Sequence, residues 1–128
     1  MDSINITTGK GKYIVELTAT LTGEGILVLL VGGERPHIGA VVLSTIRPSL
    51  SNGAGISCSS WVTPLLGHKD DQVAKAASER ISCETSQATV VVAGLHIENA
   101  TPEDIDILIA NCDDGVSLLL EKIKATSS

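Results

Sequence analysis

The 128 residues amount to one α+β domain's worth of chain, and with 43% hydrophobic side chains they can build a single core without a disulfide or structural metal. The net charge of -6, with no basic run, sets nucleic-acid binding aside. No apolar stretch approaches the ~20 residues of a membrane span, and Met1 to Asn5 lack the features of a signal peptide, so a soluble, cytoplasmic protein is expected.

From Tyr13 to Thr22 the chain alternates, with Tyr13, Val15, Leu17, Ala19 and Leu21 on one face and polar residues between them, the pattern of a half-buried strand. Gly23-Glu24-Gly25 turns into Ile26 to Val31, an unbroken apolar run that suits a strand buried on both faces. Runs at Ile38 to Ile46 and Ile56 to Thr63 add two more strands, and four in succession suggest an antiparallel meander. The period then changes. Val73, Ala76, Ala77, Arg80 and Ile81 recur at helical spacing, with Asp70 placed as N-cap, which predicts a helix over 71–84. Thr89 to Ala93 has the β-branched composition of a central strand. Thr101-Pro102-Glu103-Asp104 opens a helix with Thr as cap, Pro in first position and acids in the first turn, and Ile105, Leu108 and Ile109 mark its buried stripe. A break at Asn111 to Gly115 separates it from a last helix bearing Val116, Leu119, Leu120 and Ile123.

The order ββββαβαα predicts one domain over 1–128, a mainly antiparallel sheet with helices on one face. The other face is left to pair with a second copy, so a homodimer is expected. Cys58, Cys83 and Cys112 are odd in number and form no CxxC pair, which points to buried, reduced thiols. With no Phe and only Tyr13 and Trp61 as aromatics, the core is aliphatic, and Trp61 is the one large flat surface for stacking on a ring.

All three histidines sit in glycine-bounded polar turns beside strand-like runs: Pro36-His37-Ile38-Gly39, Gly67-His68-Lys69-Asp70-Asp71 and Gly94-Leu95-His96-Ile97-Glu98-Asn99. Histidine binds metal or phosphate, or moves protons, near neutral pH. Gly32 and Gly33 allow backbone N–H groups to approach an anion. His68 and Lys69 stand just before a helix N-terminus, where phosphate or carboxylate is favoured. His96, Glu98 and Asn99 offer a metal ligand, a carboxylate and an amide after a central strand, with His96 and Glu98 on one face. No GxSxG elbow, P-loop, GxGxxG or HExxH motif supports catalysis.

Together the turns Gly32-Gly33-Glu34-Arg35-Pro36-His37-Ile38-Gly39, Gly67 to Asp71 and Ala93 to Thr101 resemble those of the small LpdD-like proteins that accompany gallate and hydroxyarylic-acid decarboxylases. These proteins are regarded as chaperones for prenylated FMN, the modified flavin of UbiD-type decarboxylases, with a fold similar to proteasome assembly chaperones. The resemblance implies a non-catalytic carrier that delivers reduced prenylated FMN to such a decarboxylase. On that reading Gly32, Gly33, Arg35, His37, His68, Lys69, His96 and Asn99 form the cofactor site. A flavin phosphate carries about two negative charges, which Lys69, His68 and the helix N-terminus would receive, with Arg35 giving a bidentate contact. A divalent metal or alkali ion held by His37, His68 and His96 would bridge to it. Two other readings remain open: a small metal-dependent lyase or hydrolase using His37, His68 and His96 with Glu98 or Asp71 as acid-base partner, and an assembly chaperone with no small ligand.

Overall fold

A computed structural model describes residues 1–48, 56–65 and 70–126. Six strands form one sheet: β1 (Asp2–Thr8), β2 (Val15–Leu21), β3 (Gly25–Gly33), β4 (Ala40–Pro48), β5 (Ile56–Pro64) and β6 (Ala88–His96). A 3-10 turn at Gly11–Tyr13 links the first two. The helices are α1 (Asp70–Thr85) and α2 (Pro102–Thr126).

The sheet is mixed and mostly antiparallel, in the order β1-β2-β3-β6-β4-β5. The expected meander is therefore wrong between β3 and β4. They do not pair, because β6 enters between them, parallel to β3 and antiparallel to β4. A strand flanked on both sides is the place for Thr89, Val91 and Ala93, all fully buried. The sequence pattern also gives no sign of β1, whose Ile4 and Ile6 pair with Ala19 and Leu17 and extend the core face by one strand.

Val15, Leu17 and Ala19 of β2, Ile26, Val28 and Leu30 of β3, and Ala40 and Val42 of β4 all point to one face, which α1 and α2 cover. Helix α1 packs on β4, β5 and β6, and α2 on β1 and β2. The buried stripe of α1 is Ala74, Ala77, Ser78, Ile81 and Ser82, one position round from the expected one. Its serines reach backbone carbonyls: Ser78 Oγ donates to Thr89 O at 2.9 Å and Ser82 Oγ to Gln87 O at 2.8 Å. These bonds allow small polar residues inside the core.

Helix α2 runs without the expected break at Asn111 to Gly115. Cys112, Val116, Leu119, Leu120 and Ile123 continue one buried stripe through the polar cluster, and Gly115 lies where a Cβ would press on Leu17. The start of α2 matches expectation. Thr101 Oγ1 accepts from Asp104 N–H at 3.1 Å, and Asp104 Oδ2 accepts from Thr101 N–H at 3.0 Å, a reciprocal cap. The other oxygen of Asp104 accepts from the Tyr13 hydroxyl at 2.6 Å, with Lys12 Nζ 3.4 Å away, so the 3-10 turn is tied to the helix. The Tyr13 hydrogen bond and then the Thr101 N–H hold this carboxyl at about 2.

Two further expectations fail. Cys58 of β5 and Cys83 of α1 are joined in a disulfide, where reduced thiols were expected, because strand and helix bring their Cα atoms to 6.6 Å. Cys112 alone of the three is free, and burial pushes its thiol up to about 12. Nor is β3 buried on both faces: Leu27 and Leu29 lie on the face without helices.

Candidate functional site

Strands β3 and β6 end side by side, with Gly33 opposite His96. Gly33 has φ +78, and a Cβ there would strike the His96 carbonyl; one on Gly32 would strike the Ile14 carbonyl. Both positions therefore need glycine for backbone packing alone. The N–H groups of Gly33, Glu34 and Arg35 donate to the carbonyls of Ile14, His96 and His96, at 2.9, 2.7 and 3.3 Å respectively. The turn's amides thus hold it to the sheet, and what it presents outward is the Arg35 side chain, with 71% of its surface exposed.

The chain then doubles back over the end of β6. A Cβ on Gly94 would strike the His37 carbonyl, and one on Gly39 the Asp70 carboxylate. This close crossing sets the His37 and His96 rings edge to face, 6.3 Å apart. His37 Nδ1 donates to Arg35 O at 3.1 Å, and its Nε2 lies 3.2 Å from Asp70 Oδ2. Both ring nitrogens face acceptors, so an imidazolium satisfies both and a neutral ring only one. Asp70 Oδ1 accepts the Leu95 N–H at 3.0 Å. The residue expected to be a simple helix cap thus joins α1 to His37 and to the end of β6.

Arg35, His96 and Glu98 meet at one point. Arg35 Nη2 donates to Glu98 Oε2 at 2.7 Å and lies 3.2 Å from His96 Nε2, which is itself 3.0 Å from the same carboxylate oxygen. Arginine can only donate and an ionised carboxylate only accept, so Nε2 must choose between them according to its protonation. The hydrogen bond from His96 and then that from Arg35 hold the Glu98 carboxyl below the usual range. Glu34 steadies the segment from the other side, Oε1 accepting Glu98 N–H at 2.9 Å. Asn99 takes φ 52, a left-handed position that Asn tolerates better than most residues, so its place in the turn has a conformational reason.

Two clefts share His96. One, of about 500 Å³, lies between Arg35, His37, Ile38 and Glu34. The other, of about 260 Å³, is mainly apolar, with Val73, Leu95, Ile97, Ile105 and Ile109 in its walls. Ile105 and Ile109, expected in the core, stand 47% and 42% exposed on this cleft, and Leu108 alone of that trio is buried. Trp61, the expected stacking surface, lines neither cleft.

A family model for the prenylated flavin chaperone LpdD-like domain matches residues 9–124. The chain belongs to this family. The match spans every residue expected at the site, from Gly32 to Asn99. A solved structure described as a novel chaperone complex for yeast 20S proteasome assembly is similar in fold, with a TM-score of 0.60, 17% identity, and 97% of this chain and 95% of that chain covered. No curated protein matches the chain.

Of the eight expected cofactor-site residues, Gly32, Gly33, Arg35, His37, His96 and Asn99 fall at the joined ends of β3 and β6, and His68 and Lys69 lie outside the described residues. Among the described residues no three His, Cys, Asp or Glu side chains are grouped to hold a metal ion. Sequence reasoning missed the His37 partner Asp70 and the roles of Glu34, Gly39 and Gly94. The two glycines do bound the histidine turns in the sequence, but nothing local says that backbone passes over them.

Proposed function

We propose that this protein holds reduced prenylated FMN at the joined ends of β3 and β6 and delivers it to a UbiD-type decarboxylase without transforming it. The family supplies the ligand class, a prenylated flavin. The observation that supports this seat for it is the meeting of unlike clefts at His96: a polar one with Arg35 and the histidines, and an apolar one between the helices. A flavin has the same two halves, a phosphate and a ring system. Arg35, with its planar fork, suits the phosphate, assisted by His96 and by His37. Val73, Leu95, Ile105 and Ile109 suit an apolar ring edge carrying a prenyl-derived ring. With no Phe, Tyr or Trp among the described residues of its wall, this cleft would hold the ring mainly by aliphatic contact.

The test is an anaerobic titration of the protein with reduced prenylated FMN, with reduced FMN as control. Selective binding is expected, weakened roughly tenfold or more by Arg35→Ala, the range for losing a charge-assisted hydrogen bond. Transfer is then read by adding apo-decarboxylase and following activity. Failure to bind either flavin would overturn the proposal.

A further inference from the structure

Helices α1 and α2 rest on different strands, α1 on β4, β5 and β6 and α2 on β1 and β2, which leaves a seam between them. In that seam lies a further apolar cleft of about 180 Å³. Ala76 and Ala77 stand on the α1 side, and Ile109, Cys112 and Val116 on the α2 side. Ala77, Cys112 and Val116 are buried and close the floor, while Ala76 and Ile109 are exposed at the lip. The cleft shares Gln72, Val73 and Ile109 with the apolar cleft beside His96, so one runs on into the other along the helices. Ile105, Ile109, Cys112 and Val116 follow one another at helical spacing on α2, and from first to last they span about 16 Å.

We infer that this inner cleft selects the prenylated flavin over the plain one by receiving the carbons that prenylation adds. The inference rests on the carrier reading and names the side chains that give the seat its preference. With the phosphate at Arg35 and the ring system beside His96 and Leu95, the apolar wall continues past the ring into the seam. The added carbons carry no charge and gain by leaving water, and the lining of the inner cleft is apolar except for Gln72 and Asp113, both exposed at its lip. Its volume is the share of about six water molecules, room for a branched unit of a few carbons but not for a second flavin ring. Close packing ordinarily fills a seam between helices with long aliphatic side chains. Here two alanines face the stripe of α2 and keep the space open, and a plain flavin reaching no further than the outer cleft leaves it to water.

Ala76→Leu in the full chain tests the inference. Position 76 is exposed on α1 and leucine is a good helix former, so the substitution fills the cleft without overpacking the core. Wild type and variant are each titrated anaerobically with reduced prenylated FMN and with reduced FMN. Every methylene that the cleft buries multiplies affinity roughly fourfold. Wild type is therefore expected to prefer the prenylated form roughly tenfold or more, and the variant to lose that preference while its affinity for reduced FMN stays within about twofold. Ala76→Met, whose adaptable side chain fills the same space, carries the test if the leucine variant does not fold. Leu118→Ala, exposed on α2 and outside both clefts, is expected to leave both affinities unchanged. A preference that survives filling of the cleft in folded protein would overturn the inference, and so would an equal loss for the two flavins. Wild type binding both flavins equally would refute selection by the seam and leave the carrier reading intact, whereas binding of neither would end both.

Discussion

Replacing Glu98 by Gln removes one negative charge from the place where Arg35 and His96 converge, and keeps the side chain's size. This carboxylate accepts from Arg35 at 2.7 Å and lies 3.0 Å from His96, so on the proposed reading it stands where an incoming phosphate oxygen would bind. A phosphate must displace it. Arg35 and Glu98 are 71% and 62% exposed, so water and salt screen the pair, and losing such a competitor changes an equilibrium by roughly two- to fivefold. We therefore expect Glu98→Gln to bind reduced prenylated FMN roughly two to five times more tightly at neutral pH, with little change in thermal stability. The sign with pH follows from the depressed carboxyl, held down first by His96 and then by Arg35. The carboxylate is ionised at all pH above the ordinary range, so the gap between variant and wild type is full there and closes only as pH falls through the lowered value. Raising ionic strength should narrow the gap as well. Titration of both proteins by flavin fluorescence at two salt concentrations provides the assay. Weaker binding by the variant, or a gap indifferent to salt, would refute the idea that Glu98 competes for the anion seat.

Other outcomes follow from the same geometry. Gly94→Ala places a methyl group against the His37 carbonyl and should cost about 1–3 kcal/mol in chemical denaturation, with flavin affinity falling because the Glu34–Gly39 turn must move. Asp104, at about 2 in the folded protein against an ordinary 3.8, binds fewer protons folded than unfolded. The stability it adds is present above about 4 and is lost as pH falls toward 2, so melting curves of wild type and Asp104→Asn should converge in acid. Thiol titration should find no reactive group in the native protein and one, Cys112, after denaturation without reductant. Reducing the Cys58–Cys83 bond, which closes a stretch with a sequence separation of 25, should lower stability by about 3 kcal/mol.

Local chemistry is readable where a residue's neighbours in sequence are also its neighbours in space. The turn at Gly23 and the cap at Thr101 belong to this class and the structure bears them out, as it does the alternation from Val15 to Leu21; Tyr13, expected in the same strand, lies instead in the 3-10 turn before it. The position of β6 does not, because pairing between residues about 60 apart leaves no period in either segment. Asn111 to Gly115 has the look of a break because polar residues and a glycine stand together. Gly115 is there to let α2 approach Leu17, a need visible only in three dimensions. At the site, His37 and His96 can be paired from their turns, whereas Asp70 has the look of an ordinary cap, since its partners, His37 and Leu95, are set by the crossing of chains at Gly39 and Gly94.

The late arrival of β6 has a consequence for synthesis. Strands β1 to β3 form from contiguous sequence and β4 with β5 is a hairpin, yet the two pieces have no shared hydrogen-bonded edge until residues 88–96 have emerged. Until then the edges of β3 and β4 have no strand to pair with, and these are also the strands bearing Leu27, Leu29, Val41 and Leu43. Closure is long-range and correspondingly slow, so a ribosome stalled before residue 88 would display sticky strands on both fragments. Insertion of one nine-residue strand removes both edges at once, and the same step brings His96 beside Gly33, so the two clefts that meet at His96 come into being only when the sheet is complete.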